Sequence, residues 1–429
     1  MIPSDLSFLP PEEFTHFQTA QLEKTLRYVG EHSPYYRRLF ADVGYDVNES
    51  FSFARFRQLP TVSKTDLFQH NWEFLCVPNT DIREWVTTSG TIGDPVLIAL
   101  TENDLIRLGR NEAYSYRLAE LQPHDLVQLT TTLDKRFMAG MAYYLGAREH
   151  KTAVVRTGPG IPELQWDTIR RLGTTVLVAV PSFLLRMIEY AEAEGIDLST
   201  STVKKVICIG EPLRNPDLSP NALANRISEK WPLQLFSTYA STEMATAFTE
   251  CAHGQGGHMN PELIWTECLD EQGNEVPQGE PGEITITQFQ TEGMPLVRFR
   301  TGDIARVYKT PCPCGRYSLR VGPVEGRRQQ MIKYRGTSLY PPAIFDLLNS
   351  LPQIETYVVE LRQNDLGTDE IVIRAALNVH AEDFAKMLKD KFRAKLRVAP
   401  QIIFEDAQTI NRIKWPEANR KPCLLLDFR

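Results

Sequence analysis

The sequence predicts an α/β protein in two parts: a large N-terminal domain of layered sheets and helices at residues 1–327, and a small, mobile α+β domain at 328–429. Three observations carry this. A chain of 429 residues exceeds what one hydrophobic core organises. From Val86 onward, apolar runs of strand length alternate with amphipathic helical stretches, the pattern of α/β layering. After Gly326-Arg327 the pattern restarts on a smaller scale. Hydrophobic residues make up 42% of the chain and charged residues 24%, so a sizeable core is expected and disorder is not.

Taken in order, the first eighty residues read as a helical cap. Leu22, Leu26 and Val29 recur at helical spacing, and Ser33-Pro34 marks a turn. Glu84 to Val86 is strand-like. Val176 to Val180 predicts a strand, Leu184, Met187, Ile188 and Ala191 the apolar face of a helix, and Val203 to Ile209 another strand. Near Cys251 the texture changes to short strands such as Glu283 to Thr287, separated by turn dipeptides Gln272-Gly273 and Pro281-Gly282, which predicts a β-rich subdomain. Beyond a hinge near residue 328 come strands at Tyr357 to Leu361 and Ile371 to Leu377, then a helix with Phe384, Leu388 and Phe392 on one face.

The net charge of −7 gives no general attraction to nucleic acid or to an anionic membrane. No run of about 18 apolar residues and no basic-then-apolar leader is present, which predicts a cytoplasmic protein. Seven cysteines in a chain of this size predict metal binding or free thiols before disulfides.

Several segments carry chemistry. Thr87-Thr88-Ser89-Gly90-Thr91-Ile92-Gly93-Asp94-Pro95 packs hydroxyls and glycines into one loop, so that backbone amides and side-chain donors can converge on an anion. It lacks the Gly-Lys-Ser/Thr ending of a Walker loop. Phe236 to Glu243 adds a second hydroxyl cluster with Tyr239, whose ring suits stacking, and Glu243, a carboxylate of the kind that holds Mg²⁺. Arg298-Phe299-Arg300-Thr301-Gly302-Asp303 supplies an acceptor for ribose hydroxyls. Each alone also reads as a solvated turn or a structural ion pair. Cys251, His253, His258 and Cys312-Pro313-Cys314-Gly315 offer thiolates and imidazoles suited to a closed, structural Zn²⁺ site.

Taken together and in this order, these segments resemble the adenylate-forming ligase superfamily, most closely its phenylacetate–coenzyme A ligase branch, over nearly the whole chain. Leu22 to Phe40 with Ser33-Pro34-Tyr35-Tyr36-Arg37 resembles that branch's opening helix and turn. Thr87 to Pro95 resembles the phosphate loop, Ile209-Gly210-Glu211-Pro212 the segment against the adenine, Tyr239 to Glu243 the tyrosine-and-glutamate motif, and Thr301 to Asp303 the ribose-binding motif. Gly326-Arg327 with Lys333 to Gly336 resembles the hinge, and Arg420-Lys421-Pro422 the segment with the catalytic lysine. There are departures: Asp94 stands where the family has lysine, Gln329 and Gln330 where it has acidic residues, and Arg420 where it has glycine.

The resemblance implies an adenylation domain at 1–327 and a mobile domain at 328–429. It implies an ATP-dependent acid–coenzyme A ligase that makes an acyl-adenylate, releases pyrophosphate and then forms the thioester. Lys421, Glu243 and Thr242 are the implied catalytic residues. Thr88, Ser89, Gly90, Thr91, Gly93, Gly210, Glu211, Pro212, Tyr239, Ala240, Ser241, Asp303 and Arg327 would hold ATP or AMP with Mg²⁺. Phe137, Tyr143, Tyr144 and Ala240 would face the acid, an aryl acid such as phenylacetate. Cys251, His258, Cys312 and Cys314 would bind Zn²⁺, because His258 matches a position that other ligases of the branch use; His253 is the alternative. The expected partners are a carboxylic acid, ATP and coenzyme A, with homodimerisation left open and neither nucleic acid nor membrane among them. Two further readings stand beside this one: an enzyme loading a carrier protein, and an inactive zinc-stabilised binding protein.

Overall fold

The structure, a computed structural model, describes residues 5–88, 96–334, 337–363, 369–378, 384–416 and 422–429. It divides into two compact units, one comprising Met1–Pro220 and Ala224–Val324 and the other Asn221–Leu223 and Glu325–Arg429. Compactness thus separates the chain after Val324, and Arg327 falls in the second unit. No helix among the described residues is long and apolar enough to cross a membrane.

In the first unit, the N-terminal helix spans Pro11–His32 and buries Phe14, Leu22, Leu26 and Val29. Glu12 and Glu13 sit in its first turn, where carboxylates favour the helix dipole. Ser33 caps the next helix, Pro34–Asp42: its Oγ accepts the Tyr36 N–H, and Pro34 takes the first helical position. Tyr35 stacks on Phe74 at 4.1 Å and Tyr36 meets the same ring edge-on at 5.5 Å. The Ser33-Pro34 turn is therefore anchored in the core.

Parallel strands follow one another across the main sheet in the order Ala153–Arg156, Leu126–Leu129, Val176–Ala179, Lys205–Ile209 and Gln234–Ser241. Val176–Ala179 is buried at every position, the signature of a strand covered on both faces. The following helix, Pro181–Ala193, buries Leu184, Met187, Ile188 and Ala191. Beyond Gln234–Ser241 the sheet turns antiparallel and continues through Thr246–Thr249, Gly257–His258, Arg320–Val321, Phe299–Tyr308, Pro281–Gln288 and Ile264–Leu269. The β-rich stretch is thus joined edge to edge with the parallel strands. One expected turn is corrected: Pro281-Gly282 opens the strand Pro281–Gln288. The chain reverses earlier, where the Glu280 N–H reaches the Pro277 carbonyl and Gly279 adopts φ +83°.

A long helix, Glu102–Leu118, braces this sheet. Thr101 and Asp104 form a capping box at its start, and Asp104 also accepts the N–H groups of Glu292 and Gly293 at 2.8 and 2.9 Å. Three positions on, Arg107 is buried and donates to the carbonyls of Phe289, Ala245 and Leu263 and to Thr246 Oγ1, at 2.6–3.0 Å. Burial lowers its pKa to about 10. Glu112, on the same helix, lies under Met138–His150: a Cβ at Gly146 would stand 2.4 Å from Glu112 Cβ. Burial pushes the Glu112 carboxyl up to about 7; Oε1 accepts from Asn111, and Oε2 finds no partner among the described residues.

The second unit has its own sheet, in the order Gln401–Phe404, Asp369–Leu377, Ile354–Gln363 and Leu425–Asp427. The helix Phe384–Leu396 buries Phe384, Leu388 and Phe392, which pack with Val359, Leu361, Ile371 and Ile373. Arg429 pairs with Asp369 at 2.8 Å and with Asp427 at 2.7 Å. That clamp ties the end of the chain to the strand Asp369–Leu377.

Replacing Arg107 with Met strands buried carbonyls that cost about 1–3 kcal/mol each, so denaturant unfolding is expected to show a loss of about 3 kcal/mol or more. A loss below about 1 kcal/mol would mean that water satisfies those carbonyls. Glu112 has a pH signature. Its folded pKa, about 7, lies above the ordinary 4.5, so between these values the folded chain keeps a proton that the unfolded chain has released. Its contribution is full below pH 4.5 and is lost as pH rises through 7. Glu112→Gln is expected to flatten that slope and to raise stability at pH 8 by an amount on the order of 3 kcal/mol; identical pH–stability curves for both proteins would refute this.

Candidate functional site

Two of the motifs of the first unit lie at the carboxyl ends of neighbouring parallel strands, the place where open α/β sheets bind ligands. Gly210-Glu211-Pro212 follows Lys205–Ile209, and Gln234–Ser241 runs into the turn Thr242–Ala245. Gly210 has φ +83° and, with Pro212 and Ala240, is exposed. The Glu211 carboxylate accepts both the N–H and the Oγ–H of Ser182, at 2.8 and 2.9 Å, at the start of helix Pro181–Ala193. A helix N-terminus favours a carboxylate, so Glu211 fixes the course of the exposed backbone beside it.

Tyr239 stacks on Phe248 at 5.8 Å and donates its hydroxyl to Asp303 Oδ2 at 3.0 Å. Burial and the Asp303 charge hold the Tyr239 hydroxyl well above its usual pKa, so it remains a donor. Asp303 owes its aim to a bulge. Across the paired strands, Glu283 to Thr285 spans two residues while Arg300 to Ile304 spans four, and Gly302 within the excess has φ +79°. The alternating burial of Phe299–Tyr308 puts Thr301 and Asp303 on one face, and the Thr301 hydroxyl accepts the Asp303 N–H at 3.1 Å. Bulges commonly re-aim a side chain beside an active site.

Glu243 lies in the turn after Gln234–Ser241, with its side chain 7% exposed. Ser241 Oγ accepts the Met244 N–H, and the Thr242 carbonyl accepts the Ala245 N–H, at 3.3 and 3.2 Å. Gln288 Nε2 donates to the Glu243 and Met244 carbonyls, and Arg107 holds that of Ala245. Lys64 Nζ stands 3.3 Å from Glu243 Oε1. Sequence reasoning missed Lys64 and Arg107, since a lysine opening a short helix and an arginine on a long one read as surface residues.

The segment Ser89 to Pro95, with Ser89, Gly90, Thr91, Gly93 and Asp94, lies outside the described residues. Its flanks are fixed. Thr87 pairs with Leu97 across the strands Ile82–Thr87 and Leu97–Thr101, while the Thr88 N–H meets the Val96 carbonyl and Thr88 Oγ1 accepts the Val96 N–H, at 3.0 and 3.1 Å. Arg420 and Lys421 also lie outside the described residues. Arg327 belongs to the second unit. Of the aromatic residues expected to face the acid, Phe137 and Tyr144 are half-buried, with Arg156 5.3 Å over the Tyr144 ring. Tyr143 is packed inside, 2% exposed, with its ring 6.0 Å from Tyr116; burial, with the Glu112 charge, holds its hydroxyl well above its usual pKa.

A second constellation occupies the antiparallel part. Cys251 follows the strand Thr246–Thr249, and His258 lies on Gly257–His258 between Thr249 and Arg320. Cys312 and Cys314 come from a turn closed by the Gly315 N–H to the Cys312 carbonyl, with Gly315 at φ +88°. The ligand atoms of Cys251, His258, Cys312 and Cys314 all lie within 4.8 Å of one another. Cys251 Sγ is 3.7 Å from Cys312 Sγ, and Cys314 Sγ is 3.6 Å from His258 Nε2. His258, not His253, stands with the sulfurs; His253 is exposed. Burial, helped by Arg316 and Arg320, lowers the His258 pKa to about 3, which leaves a neutral imidazole. Burial pushes the Cys251 thiol up to about 12 and raises Cys312. Burial acts to raise Cys314 as well, but hydrogen bonds from Arg316 and Cys312 outweigh it and lower the thiol.

Residues 53–292 match the family of AMP-binding enzymes. The phenylacetate-coenzyme A ligase of Thermus thermophilus is 26% identical over 398 residues, covering 91% of this chain and 88% of its own. That of Escherichia coli is 24% identical over 436 residues, covering 97% and 95%. The crystal structure of 2-hydroxyisobutyryl-CoA ligase in the postadenylation state, in complex with R3-HIB-AMP, superposes with a TM-score of 0.85 at 22% identity, over 99% of this chain and 91% of that one. With the family match spanning more than half of its length, the chain belongs to the family of AMP-binding enzymes.

Proposed function

We propose that this protein is an ATP-dependent acid–coenzyme A ligase acting through an acyl-adenylate, with an aryl acid such as phenylacetate as the substrate. The observation that carries the reading is the Tyr239–Asp303 hydrogen bond at 3.0 Å. It unites two motifs that are far apart in sequence, beside the exposed Gly210 to Pro212 backbone. The aryl preference draws on the names of the curated relatives and on half-buried Phe137 and Tyr144.

In this reading, the Asp303 carboxylate accepts ribose hydroxyls while Tyr239 steadies it and offers a ring face to the nucleotide. Thr88 and the loop from Ser89 to Gly93 hold the β- and γ-phosphates. The acid's carboxylate attacks the α-phosphorus, and pyrophosphate leaves in line. Lys421 bridges the acid and phosphate oxygens. Alignment and charge neutralisation supply most of the rate. In the second half-reaction the coenzyme A thiolate attacks the acyl carbon and AMP departs. A buried carboxylate supplies the hard oxygen that Mg²⁺ prefers, and Glu243 fits that need. Glu243 would hold Mg²⁺, which would neutralise phosphate charge there; Lys64 pairs with Glu243 at 3.3 Å.

The cysteine centre fits Zn²⁺. A tetrahedral zinc with Zn–S of about 2.3 Å and Zn–N of about 2.0 Å sets sulfurs about 3.8 Å apart and a sulfur and nitrogen about 3.5 Å apart. The separations of 3.7 and 3.6 Å come close to this. Four ligands leave no open position, so its role is structural. The free state of the cysteines supports a reducing, cytoplasmic location.

Acid-dependent exchange of labelled pyrophosphate into ATP, over a panel of aryl and aliphatic acids, tests the function: exchange is expected with aryl acids, and silence across the panel would favour a binding protein. Thioester formation on free coenzyme A distinguishes a ligase from an enzyme that loads a carrier protein. Lys421→Ala is expected to lose exchange while still making thioester from supplied acyl-adenylate; equal loss in both steps would remove the assigned role. Protein purified without added zinc is expected to hold about one zinc per chain, and Cys312→Ser to lower both metal content and Tm. Zinc-free protein whose Tm is indifferent to Cys312→Ser would eliminate the metal centre.

A further inference from the structure

Arg316 touches both the cysteine centre and the start of the described chain. Its Nη1 donates to Cys314 Sγ at 3.6 Å and its Nη2 to Asp5 Oδ2 at 3.4 Å. The guanidinium lies 4.3 Å over the Phe8 ring, its Nε is buried without a hydrogen-bond partner among the described residues, and its side chain is 11% exposed. Its neighbours alternate in their contacts. Ser318 Oγ holds His258 Nδ1 at 3.2 Å, which leaves Nε2 for an ion. Tyr317 donates its N–H to the Ser7 carbonyl at 2.7 Å, and a Cβ at Gly315 would lie 3.5 Å from the Phe8 ring. Positions 314, 316 and 318 therefore serve the centre, while 315 and 317 hold residues 7 and 8.

Charge gives this arrangement a consequence. Three thiolates and a neutral imidazole around Zn²⁺ leave a net charge of about −1, and a buried charge needs a compensating partner. Arg316 is the cation in hydrogen-bond contact with one of the sulfurs. We propose that Arg316 couples occupation of the Cys251–His258–Cys312–Cys314 centre to the docking of residues 5–8, an inference that rests on the zinc reading above. With the ion bound, the guanidinium is held between the anionic centre and Asp5 and presents its face to Phe8. Without the ion the net negative charge beside the guanidinium is no longer fixed, its hold on Arg316 weakens, and the segment Asp5 to Phe8 loosens with it.

The test uses the full-length protein. Zinc release is followed with a chromophoric chelator, and hydrogen exchange of the amides of residues 6–8 and 317 is read with and without zinc. Arg316→Met is expected to release zinc roughly 10- to 100-fold faster while still folded by circular dichroism, and Arg316→Lys, which keeps the charge but not the fork, to fall between. Removal of zinc is expected to speed exchange at residues 6–8 at least about 10-fold and to leave Val178, deep in the parallel strands, unchanged. Asp5→Asn is expected to loosen the segment while keeping the zinc stoichiometry. Zinc uptake with wild-type release from Arg316→Met, or with exchange at residues 6–8 indifferent to the metal, overturns the coupling and leaves the zinc site standing. A chain that takes up no zinc overturns both.

Discussion

A buried guanidinium holds the first unit to its shape. Arg107 has no ion-pair partner among the described residues, yet its donors reach the carbonyls of Phe289, Ala245 and Leu263 and the Thr246 hydroxyl. Such a cation in the interior is tolerable only because oxygen dipoles replace its hydration. The geometry makes one side chain the common reference for three loops: the one after Glu243, the one before Ile264–Leu269 and the one after Pro281–Gln288. Asp104, one turn earlier on the same helix, does the same for Glu292 and Gly293. The position of Glu243 is thus set from the helix behind it.

The sheet distributes the remaining tasks. Its parallel part ends in exposed backbone at Gly210 to Pro212, and its antiparallel part brings Asp303 back to Tyr239. Buried ion pairs lock the return path. Arg298 reaches Glu267 as well as the carbonyls of Arg57 and Leu59, and Arg300 reaches Glu283. These pairs are fully hydrogen-bonded, the condition under which charges are tolerated inside a protein. Within the antiparallel part, Cys251, His258, Cys312 and Cys314 gather around Gly257–His258 and Arg320–Val321, strands of only two residues each.

What was legible in the sequence was what depends on period. Leu22, Leu26 and Val29, the run Val176 to Ala179, and Phe384, Leu388 and Phe392 declare their elements through spacing alone, and all are buried. The motif segments were legible through residue type: hydroxyls, a tyrosine beside a carboxylate, thiols near an imidazole. The structure brings Tyr239 to Asp303, and His258 to three cysteines. Long-range polar partnerships were not legible. Arg107 meets Phe289 across 182 positions, and nothing local distinguishes it from a solvated arginine. Pro281-Gly282 misled because Pro and Gly also open strands where the first N–H is unused and a neighbour presses close; Cys268 Sγ would lie 2.7 Å from a Cβ at Gly282. Tyr143, read by position as facing the acid, is buried beside Tyr116.

The bulge around Gly302 carries a rule of parity. A strand assigns its side chains to two faces in turn, so an insertion of odd length reverses every assignment downstream, while an even one leaves them as they were. Here the excess of Arg300 to Ile304 over Glu283 to Thr285 is even, four positions against two, and the alternation continues unbroken, with Ala305 and Val307 still facing the core. The acceptor at Asp303 is therefore added without disturbing the strand that carries it. Shortening this corner by two residues would keep the alternation; a single deletion would turn Arg306 and Tyr308 inward and Ala305 and Val307 out to water.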